Sequence, residues 1–337
     1  LPETFSGTTP DRLITALLPC FRIKPMPWKT NYTISDEISL SDSDIVWPGD
    51  NRCCFNVVVD LSLASGPEGL VPSDLATTDA VFATGDGLAG LLGVLASHKI
   101  VATFAVPAAM AKIHPKAIDG VLKQGHEVAA EGLFHEDVSQ LSLEEERARV
   151  KAATVILSEI IGSRPAGWYD LPRRKDKFAI GAISPQTTKL LVEEGYTYFG
   201  NCPADDAPHY SVTDFATASA ILAMPYYYHF DDQFFMLYPR RGSGLENPDI
   251  LFRNWRAEFV AQYKRGRFFN MTLHPGNVGW CNRLYLLDQF LDFVRSQPNV
   301  WNAVSRDCAS YWISKYPAAT HLKLEPSIWK DYPGSLS

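Results

Sequence analysis

The run Cys54-Phe-Asn-Val-Val-Val-Asp60 is β-branched and almost continuously apolar, the pattern of a strand covered on both faces, as the strands of a parallel sheet are. Beyond Asp60 the pattern alternates in kind. Helical periodicity over Gly87 to Ser97 gives way to a strand at Ile100 to Val106, a helix near Pro115 to Gln124 and a strand at Glu127 to Ala130. This is the βα rhythm of a parallel sheet. A capping box, Ser142-Leu-Glu-Glu145, opens a helix that should run to Ile161 and end at Gly162, because the serine hydroxyl and the glutamate carboxylate satisfy free amides of the first turn. Further helices are expected to open at Ser184-Pro185 and Asn247-Pro248. Strands near Tyr196 to Phe199, Ile221 to Met224, Arg267 to Leu273 and Val300 to Val304 bring the count to seven or eight, near the number that closes a barrel.

Length and composition bound the rest. A chain of 337 residues with 46% hydrophobic content can bury a full core. Residues 1–46 are rich in Pro, Ser, Thr and Asp without a sustained period and read as a surface arm. One barrel is expected over 47–316, with a tail at 317–337. A net charge of -7 disfavours a nucleic-acid partner, since phosphate binding needs a concentrated positive face. No apolar stretch is expected to reach the ~18 residues of a membrane span. A small molecule is the expected partner, and self-association of identical chains is left open. The chain starts at Leu1 without a signal-peptide pattern, so such a peptide is absent or removed and the compartment, cytoplasmic or secreted, stays open. The six cysteines match neither a compact disulfide framework nor a zinc-binding pair. Of two glycosylation sequons, Asn31 is a plausible acceptor, whereas Asn270 lies in an expected buried strand.

Four residues stand where a barrel keeps its chemistry, at the C-terminal ends of strands. Asp60 ends the first core strand. Glu131 and His135 come after the Glu127 to Ala130 strand, and a helical turn there would put them on one face at i and i+4, able to hold a metal or to orient a ring for proton transfer. His274 ends the Arg267 to Leu273 strand, just before Pro275-Gly276. Around them, Trp168, Tyr169, Tyr226, Tyr228, His229, Asp232 and Trp280, with Tyr227 and Asp231 among them in the chain, form an aromatic and acidic set. Such a set suits an amide-bearing ring or a fused aromatic ligand.

Asp60, the segment Gly125-His-Glu-Val-Ala-Ala-Glu-Gly-Leu-Phe-His135, Arg164-Pro-Ala-Gly-Trp168 and Thr272-Leu-His-Pro275 fall in an order that resembles the polysaccharide deacetylase (NodB-homology) superfamily, in detail its allantoinase-like, cyclic-amide hydrolase-like branch. The resemblance covers roughly residues 45 to 315. It implies an α/β fold, a deformed (β/α) barrel of about seven parallel strands, and a hydrolase of carbon-nitrogen bonds. In metal-dependent relatives an aspartate acts as base, while a neighbouring carboxylate and two histidines hold the metal. Here Asp60 occupies the base position, but Leu61 and Ser62 stand beside it and Glu131 replaces the first histidine. Tyr169 and Asp170 occupy the place of a family arginine, with Arg173 and Arg174 just beyond. The implied set is thus depleted, and no cofactor or metal is expected; if a metal binds, its ligands are Asp60, Glu131 and His135. Metal-independent members of this branch are known.

The leading expectation is an enzyme acting on an amide, cyclic imide or N-acyl bond of a small molecule, with Asp60 as base and His274 as acid or oxyanion partner. A non-hydrolytic tailoring step (isomerase, cyclase or lyase) in the same pocket, a binding protein that has lost catalysis, and a true polysaccharide deacetylase are the alternatives, in that order.

Overall fold

The computed structural model describes residues 40–176, 183–202, 205–214, 217–233 and 248–322. The expected surface arm up to residue 39, with Asn31 and Cys20, and the tail beyond residue 322 lie outside the described residues.

Among the described residues, nine strands form one sheet: β1 (Cys53–Asp60), β2 (Thr103–Val106), β3 (Glu127–Ala130), β4 (Gly167–Trp168), β5 (Tyr198–Cys202), β6 (His209–Asp214), β7 (Ser219–Pro225), β8 (Phe268–Leu273) and β9 (Val300–Asn302). Their order is β6-β7-β5-β4-β3-β2-β1-β8, with β9 against the first half of β1. Every pairing is parallel except β6 with β7. The antiparallel β6 and the two-residue β4 were not expected from sequence; neither is long or apolar enough to show a period. The ladder does not close. A single parallel bridge, Asp231 to Thr272, ties the chain beyond β7 to β8, which gives a barrel deformed by one open seam.

Side-chain alternation along β1 divides the core in two. Phe55, Val57 and Val59 point to the surrounding helices and pack with Leu91, Leu95, Phe259 and Phe290. Cys54 and Val58 point to the inner face with Tyr169, Tyr198, Leu222, Met224 and Trp312. Asn56 and Asp60 share that inner face. Two tyrosines fit inside only because small residues oppose them: a Cβ on Gly167 would lie 1.8 Å from the Tyr198 ring, and one on Gly200 would lie 2.1 Å from the Tyr169 ring.

Several local expectations hold. The helix Leu143–Ile161 starts at Ser142, whose hydroxyl accepts the Glu145 N–H while the Glu145 carboxylate accepts the Ser142 N–H, and it ends at Gly162 with φ 76°. Helices Asp86–Ser97, Pro115–Lys123 and Pro248–Arg265 lie where the pattern put them. The helix expected from Pro185 opens at Thr187 instead, because Ser184 and Thr187 bind one another and Glu146, which delays the first turn. Cys53 and Cys54 are buried free thiols, and Asn270 is buried, its amide donating to the Pro225 carbonyl. One expectation needs correcting. Thr78–Ser97, two helices that break at Gly85, is long and apolar enough to cross a bilayer by length and composition. In the fold its Leu88, Leu91 and Leu95 pack into the outer core.

Candidate active site

Strand register places the central pair. Val59 pairs with Leu273 across β1 and β8, so Asp60 and His274, one residue further along parallel neighbours, emerge side by side at the C-terminal end of the sheet. Asp60 Oδ2 lies 3.2 Å from His274 Nε2. That contact is close but not aligned as a hydrogen bond, and Nε2 has no hydrogen-bond partner among the described residues. The Asp231–Thr272 bridge delivers two more carboxylates to the same imidazole. Asp232 Oδ1 accepts from His274 Nδ1 at 2.7 Å, and the His274 backbone N–H adds contacts of 3.1 Å to both Asp232 oxygens. Asp231 Oδ1 stands 3.4 Å from Nδ1. Behind it, Tyr226 donates its hydroxyl to Asp231 Oδ2 at 2.6 Å and the Gln233 N–H donates to Oδ1 at 2.8 Å.

This geometry sets the charges. Burial alone would lower the pKa of His274, but the charges of Asp231 and Asp232 and its contacts with Asp232 and Asp60 outweigh burial and raise it well above its ordinary value. His274 is therefore an imidazolium at neutral pH. Burial alone would raise Asp60; the contact with His274 and its charge reverse the sign and hold Asp60 below the usual aspartate value. Burial pushes Asp231 up to about 7, with the charge of His274 opposing and that of Asp232 assisting. The core of the site is thus a buried carboxylate facing a buried cation.

Glu131 comes directly after β3, with its N–H donating to the Val106 carbonyl. The helical turn expected for 131–135 does not form: Gly132 and His135 take positive φ values of 74° and 58°, and the segment is a tight loop. The loop nevertheless brings the two side chains together, with His135 Nε2 3.7 Å from Glu131 Oε1. His135 is held at both nitrogens. Nε2 lies 2.7 Å from the Leu171 carbonyl, which can only accept, so Nε2 carries the proton. Nδ1 then accepts from the Ser62 hydroxyl at 2.8 Å. Burial lowers the pKa of His135, in keeping with a neutral ring. Glu131 is fully buried; Oε1 accepts the Leu171 N–H at 3.3 Å, and Oε2 accepts no hydrogen bond from the described residues. Burial, and then the charge of Asp60, raise Glu131 well above the ordinary glutamate value.

Ligand atoms of Asp60, Glu131 and His135 do lie within 4.8 Å of one another, so a metal must be tested against their chemistry. A zinc-type ion at this set would need the histidine lone pair as well as charged oxygens. The His135 Nε2 carries a proton given to Leu171, its Nδ1 lone pair is taken by Ser62, and Ser62 itself is a neutral residue spent on that bond. As arranged, the set does not fit such an ion. The second acidic group, Asp231, Asp232 and His274, fits no better, since Asp232 holds the protonated Nδ1.

The expected substrate contacts are divided by the fold. Tyr169 is buried inside the barrel with its hydroxyl 2.7 Å from Ser305 Oγ, and Tyr226 and Asp232 belong to the support of His274. Trp168 is a correction: the short β4 turns it outward, where it meets Tyr196 edge to face at 5.4 Å in the outer core. Tyr228 and His229 are exposed on a 3-10 turn, His229 packing on Phe230, and neither reaches the Asp60–His274 pair through any hydrogen bond or ion pair among the described residues. Trp280 is half exposed and stacks on Phe82 at 4.2 Å. Sequence reasoning missed the hydroxyl of Ser62, and it placed Asp231 among the aromatic residues without linking it to His274. The doublet Asp231-Asp232 was the available signal, but neighbours on a strand face opposite ways. Here the doublet is not a continuous strand: a 3-10 turn, Tyr228–Phe230, precedes it and helical geometry begins at Asp232, so both carboxylates approach one ring. Arg173 is buried as well, bound to Asp176 and to the His135 carbonyl.

A family model described as polysaccharide deacetylase matches residues 80–199, a span that carries Glu131 and His135. A peptidoglycan deacetylase from Helicobacter pylori is 19% identical over 73% of this chain and 89% of its own length. Among solved structures, a putative polysaccharide deacetylase from Mycobacterium smegmatis is 26% identical, with a TM-score of 0.69 over 80% of this chain and 93% of that one. The PuuE allantoinase superposes with a TM-score of 0.69 at 23% identity, over 80% of this chain and 93% of that one. By the family model over residues 80–199 and by fold, the chain is similar to polysaccharide deacetylases, with an architecture that an allantoinase shares.

Proposed function

We propose that the chain is a hydrolase of a carbon-nitrogen bond in a small amide, cyclic imide or N-acyl compound, and that it works without a metal. The observation that carries this reading is the contact of 3.2 Å between the Asp60 carboxylate and the protonated Nε2 of His274, a base and an acid ready on one site. Names of relatives point the same way: one is a peptidoglycan deacetylase and another an allantoinase.

In the proposed reaction Asp60 takes a proton from water as its oxygen attacks the carbonyl carbon. The C–N bond then breaks, and the Nε2 proton of His274 passes to the departing nitrogen. Transfer of the proton from Asp60 back to His274 restores both groups. Asp232 keeps the ring fixed through Nδ1, and Tyr226 and Gln233 hold the Asp231 carboxyl group beside it. Asp60 and His274 are only 3% and 8% exposed. A closed site favours a small substrate over a polymer strand, which needs an open groove.

The test is a screen of purified chain against hydantoins, ureides, cyclic imides and N-acetyl sugars, tracking release of the carboxylate or amine by mass spectrometry, with Asp60→Asn and His274→Ala in parallel. Turnover of a small cyclic amide or imide by the parent alone is the expected result. Turnover confined to chitin or peptidoglycan oligomers would replace the small-molecule reading, and binding of one compound without turnover would replace the enzymatic one.

A further inference from the structure

Asp60, Asp231 and Asp232 are three buried carboxyl groups around a single cationic ring, His274, and a fourth, Glu131, has an oxygen within 4.8 Å of one of Asp60. Charges taken out of water must be paired. Asp60 and Asp232 have their partner in His274. Glu131 has no cation: His135 beside it is a neutral ring whose Nε2–H is given to Leu171, and the other groups that face Glu131 are the Leu171 N–H, the Asp60 carboxylate and Asp170. Its Oε1 has a donor, whereas Oε2 is buried without one among the described residues. An oxygen left unsatisfied as an acceptor beside an anion is satisfied at once if it carries a hydrogen.

We infer that Glu131 is a carboxylic acid whose hydroxyl is hydrogen-bonded to Asp60, so that a proton, and no cation, occupies the position where the family resemblance calls for a metal-ligating histidine. The direction of its pKa agrees, but the geometry stands without it: carboxyl oxygens of Glu131 and Asp60 within 4.8 Å of each other, a neutral imidazole, and a buried Oε2 with no donor and no free cation near it among the described residues. Two close carboxyl groups share one proton because both cannot ionise. Glu131 is therefore a positioning residue. With the Ser62 N–H at 2.6 Å, it fixes the Asp60 carboxylate for water and lets that carboxylate stay the anion of the pair.

The inference rests on the functional reading only for its kinetic arm, and a spectroscopic arm tests it independently. Infrared difference spectra between parent and Glu131→Gln at pH 7 should show a carboxylic acid C=O band that the variant lacks. Glutamine keeps a neutral hydrogen-bond donor of the same shape, so Glu131→Gln should retain kcat within about threefold. Glu131→Ala should lose at least ~10-fold in kcat with little change in KM. Circular dichroism would confirm that both variants are folded. Zinc titration monitored by calorimetry should show no uptake that Glu131→Gln abolishes. A parent spectrum without that band, or a parent that binds zinc tightly and loses it in Glu131→Gln, would overturn the inference. If no amide is turned over but the band is present, the functional reading fails and the assignment of Glu131 stands.

Discussion

Asp232 binds His274 twice, accepting from the ring Nδ1 at 2.7 Å and from the backbone N–H at 3.1 Å, which fixes both the rotation of the imidazole and its protonation. Removing one anion from this buried pair should leave the proton on Nδ1 less favoured and the ring free to turn. Asp232→Asn is expected to reduce kcat by roughly 100-fold or more, the usual size of an acid-base contribution, while substrate KM changes little. Steady-state kinetics with the substrate found by the screen checks it; a variant at parental rate would show that Asp231 alone supports the ring.

Asp60→Asn and His274→Ala should each lower turnover by at least ~100-fold. Asparagine is nearly isosteric with aspartate and keeps the acceptor for the Ser62 N–H, so Asp60→Asn should stay folded. Melting curves measured beside the rates separate lost chemistry from lost structure. The double variant should be little worse than either single one, since the two groups serve one proton path.

The pH profile should be a plateau wide on both sides. His274 is raised above the usual imidazole value of about 6.5 and Asp60 is held below the usual carboxyl value of about 3.9. Activity needs Asp60 ionised and His274 protonated, so it should persist through neutral pH and fall on the alkaline side as His274 loses its proton. Stability has the same sign. A group with a raised folded value contributes stability that is complete below pH ~6.5 and is lost as pH rises through the folded value. Denaturant titrations from about pH 6 to 10 should show this decline in the parent and a weaker one in His274→Gln; an equal decline in both would assign it to other groups.

Ser62→Ala should destabilise the fold through His135. The hydroxyl is the donor to His135 Nδ1, and without it a fully buried nitrogen is left unsatisfied, at a cost of about 1–3 kcal/mol. Denaturant unfolding of the variant measures it. A stability equal to that of the parent would mean that Nδ1 finds water or another donor.

Gly167→Ala should be among the most damaging substitutions away from the site. The added Cβ would meet the Tyr198 ring at 1.8 Å, and Tyr198 cannot retreat because its hydroxyl is bound to Glu127 at 3.0 Å inside the barrel. Overpacking of this kind costs about 1–3 kcal/mol or more. Loss of soluble folded protein, or a depressed melting temperature, is the expected outcome.

The sequence by itself determined the strands that bear the chemistry. Continuous apolar runs ending in Asp60 and His274 suit buried parallel strands, and a parallel sheet gathers such ends on one side; the capping box at Ser142 likewise set a helix start through local hydrogen bonds alone. The convergence of Asp60, Glu131, His135 and His274 was legible for that reason. Tertiary structure decided what no local period encodes. Glu131 and His135 meet through a loop with two positive φ values and not on a helical face, because a backbone of that kind is held by what packs against it, here the Leu171 carbonyl that accepts a hydrogen bond from the His135 Nε2–H. Trp168 faces outward because a strand of two residues has no parity of its own and takes its facing from β3 and β5. The charge states were beyond the sequence altogether. Which of four carboxyl groups keeps its proton depends on separations such as the 3.2 Å from Asp60 to His274 and the 3.4 Å from Asp231 to the same ring. These residues are far apart in the chain, and in a buried site such distances, not residue type, settle the electrostatics.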